Sequence, residues 1–216
     1  VKLPSSRFPE RLPAPDRLEQ LCVSLATLDA IVSPEWEYRY YSFNRFWDEK
    51  TGARMGSMRN GSGDDYFILF STLGVIIKGF AHDSLMAGAS SEVLRDVPAT
   101  FNAFLSEPAF GMENASFCIW NEGSDGWCKS IFDYVPGNDP DGSEELMGIL
   151  AGAPHQYVRF AGESYEKDVS LEAVAAIYKH EPLDRRLVAS IVTGSELHCP
   201  DDVLRELQEI GYPVCG

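Results

Sequence analysis

The chain reads as an α+β protein with a mainly antiparallel sheet, an N-terminal helix and a C-terminal helical segment. Three patterns predict this. Up to residue 33 apolar residues recur at helical spacing, from 35 to 135 short apolar runs alternate with glycine-bearing turns, and after Pro136 the spacing is helical again. The expected division is residues 1–135 as a sheet-containing core with the N-terminal helix, and residues 136–216 as a helical segment packed on it, one domain in all.

Pro4, Pro9, Pro13 and Pro15 make the first 15 residues an extended arm. Asp16 is placed to cap a helix in which Leu18, Leu21, Cys22, Leu25 and Leu28 form one apolar stripe, and Ser33-Pro34 stops it. Glu35 to Tyr40 alternates charged and aromatic residues, the pattern of a half-buried strand. Arg54–Arg59 predicts a second strand, ended by Asn60-Gly61-Ser62-Gly63. Tyr66–Ser71 and Val75–Phe80, joined by Thr72-Leu73-Gly74, read as a hairpin. Both faces of its first limb are apolar, which places that limb centrally in the sheet.

Pro98 opens a short helix whose buried side carries Phe101, Phe104 and Leu105. A further hairpin is expected from Ser116–Trp120 and Trp127–Phe132. Ser143 is placed to cap Glu144–Leu150, with Glu144 and Glu145 at the positive end of the helix dipole. Pro154 opens a helix carrying Tyr157, Val158 and Phe160. Ser170 caps another with Leu171, Val174, Ile177 and Tyr178 on one side, and helices over Asp184–Val192 and Asp201–Ile210 follow.

Charge narrows the function. The 216 residues hold 18 basic and 33 acidic side chains, a net −15. The first 60 residues carry nine basic against eight acidic groups, and the rest nine against 25, or −16. That field repels phosphate backbones and anionic membranes, so no nucleic acid is expected as a partner. A basic protein or a divalent cation is attracted, although acidity can also serve solubility alone. No apolar run reaches the ~20 residues of a membrane span. No apolar leader core precedes Arg11, and Cys22, Cys118, Cys128, Cys199 and Cys215 include no C-x-x-C pair, so a reducing cytoplasm is the expected compartment.

One constellation could carry chemistry. A hairpin turning at Thr72-Leu73 lays residues 64–65 beside 80–82, bringing Asp64 or Asp65 to His82 and Asp83, with Arg59 and Lys78 near. A histidine with carboxylates can bind a metal or move a proton, so one reading is a small metal-assisted hydrolase with Asp64, Asp65, His82 and Asp83 in its site. Arg59 or Lys78 would then stabilise an anion. The plainer reading is a polar sheet edge. Asn138–Glu145 lacks the acids of a calcium loop where Gly137 and Gly148 stand, so that segment is expected to end a strand and cap a helix. Cys118, Cys128 and Ser84 are nucleophiles by type only, without a G-x-S-x-G elbow. His155, His180 and His198 are expected to be structural or exposed.

Trp36 to Asn44, Arg59 to Phe70, Ile77 to Ser84, Glu107 to Phe110 and Ile210 to Pro213 resemble an uncharacterised bacterial protein family over most of the chain, and the resemblance implies no activity. The P-x-x-x-x-x-F-L element from Pro98 to Leu105 is similar to one in immunity and regulatory proteins of the SUKH superfamily. The leading expectation is a non-enzymatic cytoplasmic binding protein, immunity- or antitoxin-like, that neutralises a basic partner and needs no cofactor and no metal. Its contact residues would be Arg59, Trp120, Trp127, Asp139, Asp141, Glu144 and Glu145.

Overall fold

The structure, a computed structural model, describes residues 2–123, 126–193 and 201–215. Helix α1 (Pro15–Val32) starts on a proline that needs no N–H partner, and Asp16 sits in its first turn rather than at the cap. From Leu21 to Val32 every residue is buried, so α1 is enclosed all round, not on one stripe. The reason is its position between the sheet and the later helices, where apolar side chains pack on every side and the buried Ser24 and Asp29 find hydrogen-bond partners.

Five strands form an antiparallel meander in chain order: β1 (Tyr41–Asp48), β2 (Ala53–Arg59), β3 (Asp65–Ser71), β4 (Gly74–Phe80) and β5 (Phe117–Asn121). The α+β class is as expected, and β3 is the central strand. The β3–β4 hairpin turns at Thr72-Leu73, with Ser71 opposite Gly74. Gly74 has φ +135° and a Cβ there would lie 2.2 Å from the Asn121 carbonyl oxygen, so only glycine fits.

One sheet face carries Phe43, Met58, Tyr66, Ile68, Phe70 and Ile77 into a core shared with α1 and the later helices α5 (Pro154–Tyr165), α6 (Leu171–Tyr178), α7 (Arg185–Ile191) and α8 (Asp201–Ile210). The other face carries Met55, Phe67, Ile76, Cys118 and Trp120 against Phe101, Phe104 and Phe110 of a chain of short helices. Among these are α2 (Ser90–Leu94) and α3 (Asn102–Leu105). Helix α4 (Ser143–Met147) follows the sheet. Among the described residues no helix is long and apolar enough to cross a membrane.

Three local expectations change. Residues 35–40 are not a strand: Trp36–Tyr38 is a 3-10 turn, and β1 begins at Tyr41. Arg39 Nε donates to the Ser33 carbonyl at 2.8 Å while the Tyr40 and Tyr41 N–H groups donate to Asp29 at 3.0 and 2.8 Å, which folds this segment onto the end of α1. The second hairpin has only its first limb. Among the described residues its return touches β5 at the Trp120–Cys128 bridge alone, because Ser130 Oγ donates to the Val93 carbonyl and the Ile131 N–H donates to Asp96, tying residues 130–131 to α2 and its exit. At α4, Ser143 Oγ is engaged by Asp141 at 2.7 Å, and the Asp139 carboxylate takes the Glu144 and Glu145 N–H groups instead, at 3.1 and 2.9 Å. Ser170 and Asp184 do cap their helices, through the Ala173 and Leu187 N–H groups, although Leu171 is exposed.

Candidate binding site

The last β3–β4 pair is Asp65 opposite Phe80, so Asp64 and His82 leave the sheet side by side. Asp64 Oδ1 accepts the His82 backbone N–H at 2.9 Å and meets ring Nδ1 at 2.7 Å. Its Oδ2 accepts from Asn60 Nδ2 at 2.6 Å, and Asn60 Oδ1 takes the Ser62 and Asp64 N–H groups at 2.8 and 3.1 Å. The Asn60–Gly63 turn therefore fixes this carboxylate before any ligand arrives. The second ring nitrogen of His82 lies 3.1 Å from Asp83 Oδ2.

These contacts set the charges. Partial burial pushes the Asp64 carboxyl up, but hydrogen bonds from the His82 side chain and backbone and from Asn60 outweigh it and hold the group below its ordinary value. The Asp64 hydrogen bond raises His82, and the charges of Asp83 and Asp64 add to it. Each shift favours the charged form of its group.

That geometry corrects the metal-assisted hydrolase expectation. His82 and Asp64 engage each other, and with Asp83 they do not form a donor set that could hold a metal ion. Asp65 is not in the group at all, since adjacent strand residues point to opposite faces. It pairs with Lys78 Nζ at 2.9 Å, on the face where the Arg59 guanidinium lies 5.1 Å from the Phe67 ring. Among the described residues no group of three or more His, Cys, Asp or Glu side chains could hold a metal ion.

What the hairpin does build is an acid-lined recess of about 230 Å³, formed by Asp64, His82, Asp83 and Ser84 with Asp139 and Glu145. No lysine or arginine is among its lining residues. Two segments far apart in sequence meet here because Gly142 lies against Ala81, where a Cβ would come within 2.3 Å of the Ala81 methyl. Ser116 Oγ joins them further, accepting the Ala81 N–H at 3.0 Å and donating to the Asp141 carbonyl at 2.8 Å. Asp-Gly at 141–142 carried this signal in the sequence, since a glycine at φ +73° permits the approach.

The expected contact residues divide. Glu145 and Arg59 are exposed, and Asp139 and Glu144 are half-buried. Asp141 is only 1% exposed and its carboxylate receives the Ser6 and Ser143 hydroxyls, so it clasps the N-terminal arm and cannot face a partner. Trp120 packs in the second core, and Trp127 is half-buried with Nε1 donating to the Pro13 carbonyl at 2.9 Å. Both tryptophans hold structure. Burial pushes the Cys118 thiol up to about 12, which removes it as a nucleophile. His180 is structural, with Nε2 2.7 Å from the Gln20 carbonyl oxygen. His198 and Cys199 lie outside the described residues. Set against family models, curated proteins and solved structures, the chain matches none.

Proposed function

We propose that this chain is a protein-binding module whose acid-lined recess receives a lysine or arginine of a basic protein. The observation that carries the reading is the meeting of Asp64, Asp83, Asp139 and Glu145 around one hollow that no lysine or arginine lines. The charge of −16 over residues 61–216 supports it, because a field of that sign speeds the encounter with a basic surface. In its concrete form the protein is a bacterial cytoplasmic immunity or antitoxin-like protein that neutralises a basic toxin such as a nuclease.

The test is association kinetics with the purified product of the neighbouring gene, at rising salt. Asp83 and Glu145 are the residues to reverse, since Asp139 caps α4 and Asp141 is buried. Asp83→Lys with Glu145→Lys is expected to slow association at least about tenfold at low salt with an unchanged unfolding midpoint, and the wild-type on-rate to fall steeply as screening shortens to ~8 Å. Binding indifferent to salt and to both reversals refutes the reading.

A further inference from the structure

On the sheet face that carries Phe67 and Trp120 a second cavity shares no lining residue with the recess. It has a volume of about 610 Å³, within the ~300–1,000 Å³ of small-molecule sites. Its apolar walls include the half-buried Trp47 with Leu69 and Leu73 over the core rings of Phe101, Phe104 and Phe110, and Trp47 and Phe110 stack at 5.3 Å between centroids. Its two ionisable lining residues are both acids, Asp48 and Glu107, and no lysine or arginine lines it. Each acid is held in place. Asp48 accepts the Lys50 N–H at 3.0 Å and the Thr51 hydroxyl at 2.8 Å, and Glu107 Oε1 accepts the Ala109 N–H at 3.0 Å. Those bonds fix the oxygens at the rim without filling all their lone pairs.

Apolar walls with two fixed carboxylates match one ligand chemistry. The carboxylates attract a cation, the half-buried Trp47 ring adds to that attraction, and the apolar walls take up a hydrocarbon body. An anionic ligand would meet two like charges. From this charge complementarity we infer that the cavity beside Trp47 and Phe110 binds a small organic cation, an amine on an aromatic or alkyl body.

The experiment compares three probes with one aromatic body: phenethylammonium, neutral 2-phenylethanol and anionic 3-phenylpropionate. Each is titrated into the full chain while amide and indole N–H shifts are followed by NMR. The expected result is saturable binding mapped to Trp47 and residues 100–110, with the cation about tenfold tighter than the alcohol and the acid weakest. Asp48→Asn with Glu107→Gln, which keep an acceptor for the Lys50 and Ala109 N–H groups and let the Thr51 hydroxyl turn to accept from the new amide, are expected to erase the cation's advantage and leave the alcohol unchanged. Ala103→Trp, at an exposed lining position, should fill the cavity and abolish binding of all three. Equal affinities, shifts mapped elsewhere, or binding that survives Ala103→Trp would each overturn the inference. So would binding only of a short basic aromatic peptide, which would mark a groove for a protein segment. The recess at Asp64 is untouched by these variants, so the outcome is independent of the protein-binding proposal.

Discussion

Asp29 offers the sharpest test of how the layers are held together. It lies on α1 at 0% exposure and its carboxylate collects four donors: the Tyr40 and Tyr41 N–H groups at 3.0 and 2.8 Å, the Tyr157 hydroxyl at 2.8 Å and the Tyr165 hydroxyl at 2.6 Å. None of these donors is cationic, so burial dominates over the donors and pushes the carboxyl up to about 6. Asp29→Ala removes the acceptor and leaves the Tyr41 N–H and the Tyr157 hydroxyl buried without a partner. Tyr40 keeps the Tyr165 oxygen at 3.0 Å. At ~1–3 kcal/mol for each stranded group, the expected cost is about 3–5 kcal/mol. Asp29→Asn should behave differently. Its carbonyl can replace Oδ2 for three donors, and its amide can donate to Tyr157, whose hydroxyl turns round to accept. The expected cost is about 1 kcal/mol.

The pH dependence separates the two charge states. A carboxyl whose folded value is raised stabilises the fold below its unfolded value and loses that contribution as pH rises through the folded value. For Asp29 the window runs from ~4 to about 6, and a rise of about two pH units corresponds to about 3 kcal/mol. Urea unfolding of wild type, Asp29→Asn and Asp29→Ala from pH 4 to 8 checks this. The wild type should lose stability relative to Asp29→Asn across that window. Groups common to both proteins cancel in the difference. Parallel curves would show that Asp29 does not titrate there, and an alanine variant as stable as the asparagine one would show that the donors find other partners.

Three further outcomes are expected. Asp65→Ala strands the Lys78 ammonium, 1% exposed, and should cost about 3 kcal/mol in chemical denaturation, most of it recovered in the double variant with Lys78→Met; no recovery would mean the loss is packing, not charge. Gly79→Ala sets a methyl 2.0 Å from the ring of Phe117 on the edge strand β5 and should lower stability by about 1–3 kcal/mol, read as a fall in thermal midpoint; an unchanged midpoint would refute the tight approach. In an NMR titration His82 should ionise above its ordinary range and return toward it in Asp64→Asn, so the stability from this pair is present below the unfolded value and lost as pH rises through the raised one; a His82 indifferent to Asp64→Asn would break the pair.

The fold was legible where local pattern and tertiary surroundings agree. The β3–β4 hairpin follows from two apolar runs and a two-residue turn, and the register that joins Asp64 to His82 follows from the hairpin by counting. Glu35–Tyr40 misled because charged–aromatic alternation also suits a turn that leaves Trp36 and Tyr38 exposed. The real strand carried its signal one step later, with Tyr41 and Phe43 buried and Asn44 exposed. Ser143 misled because an Asp four residues earlier competes for the same helix end, and only the bond from Ser143 to Asp141 decides between them. The recess was half legible. Residues 64–83 were grouped by the hairpin, but Asp139 and Glu145 reach them through the Gly142–Ala81 contact, which no periodicity announces.

Net charge alone would spread the acidic residues evenly over a surface, and the structure shows why it does not. Asp29 closes α1 against β1 and α5, Asp141 ties the N-terminal arm to α4, and Asp65 neutralises a lysine within the sheet. Asp29 and Asp141 are buried and Asp65 is half-buried, and each serves donors that would otherwise be stranded, so each is fixed by what surrounds it. Asp83 and Glu145 are different. Asp83 is 92% exposed and meets only His82, and Glu145 lends α4 its backbone N–H while its carboxylate lines the recess. A carboxylate that the fold does not need, placed beside others of like charge, raises the local repulsion that a cation relieves. The fold brings Asp83 and Glu145, whose carboxylates cap no helix, beside Asp64 and Asp139 at one hollow, a grouping that composition could not show and that the proposed basic partner would meet.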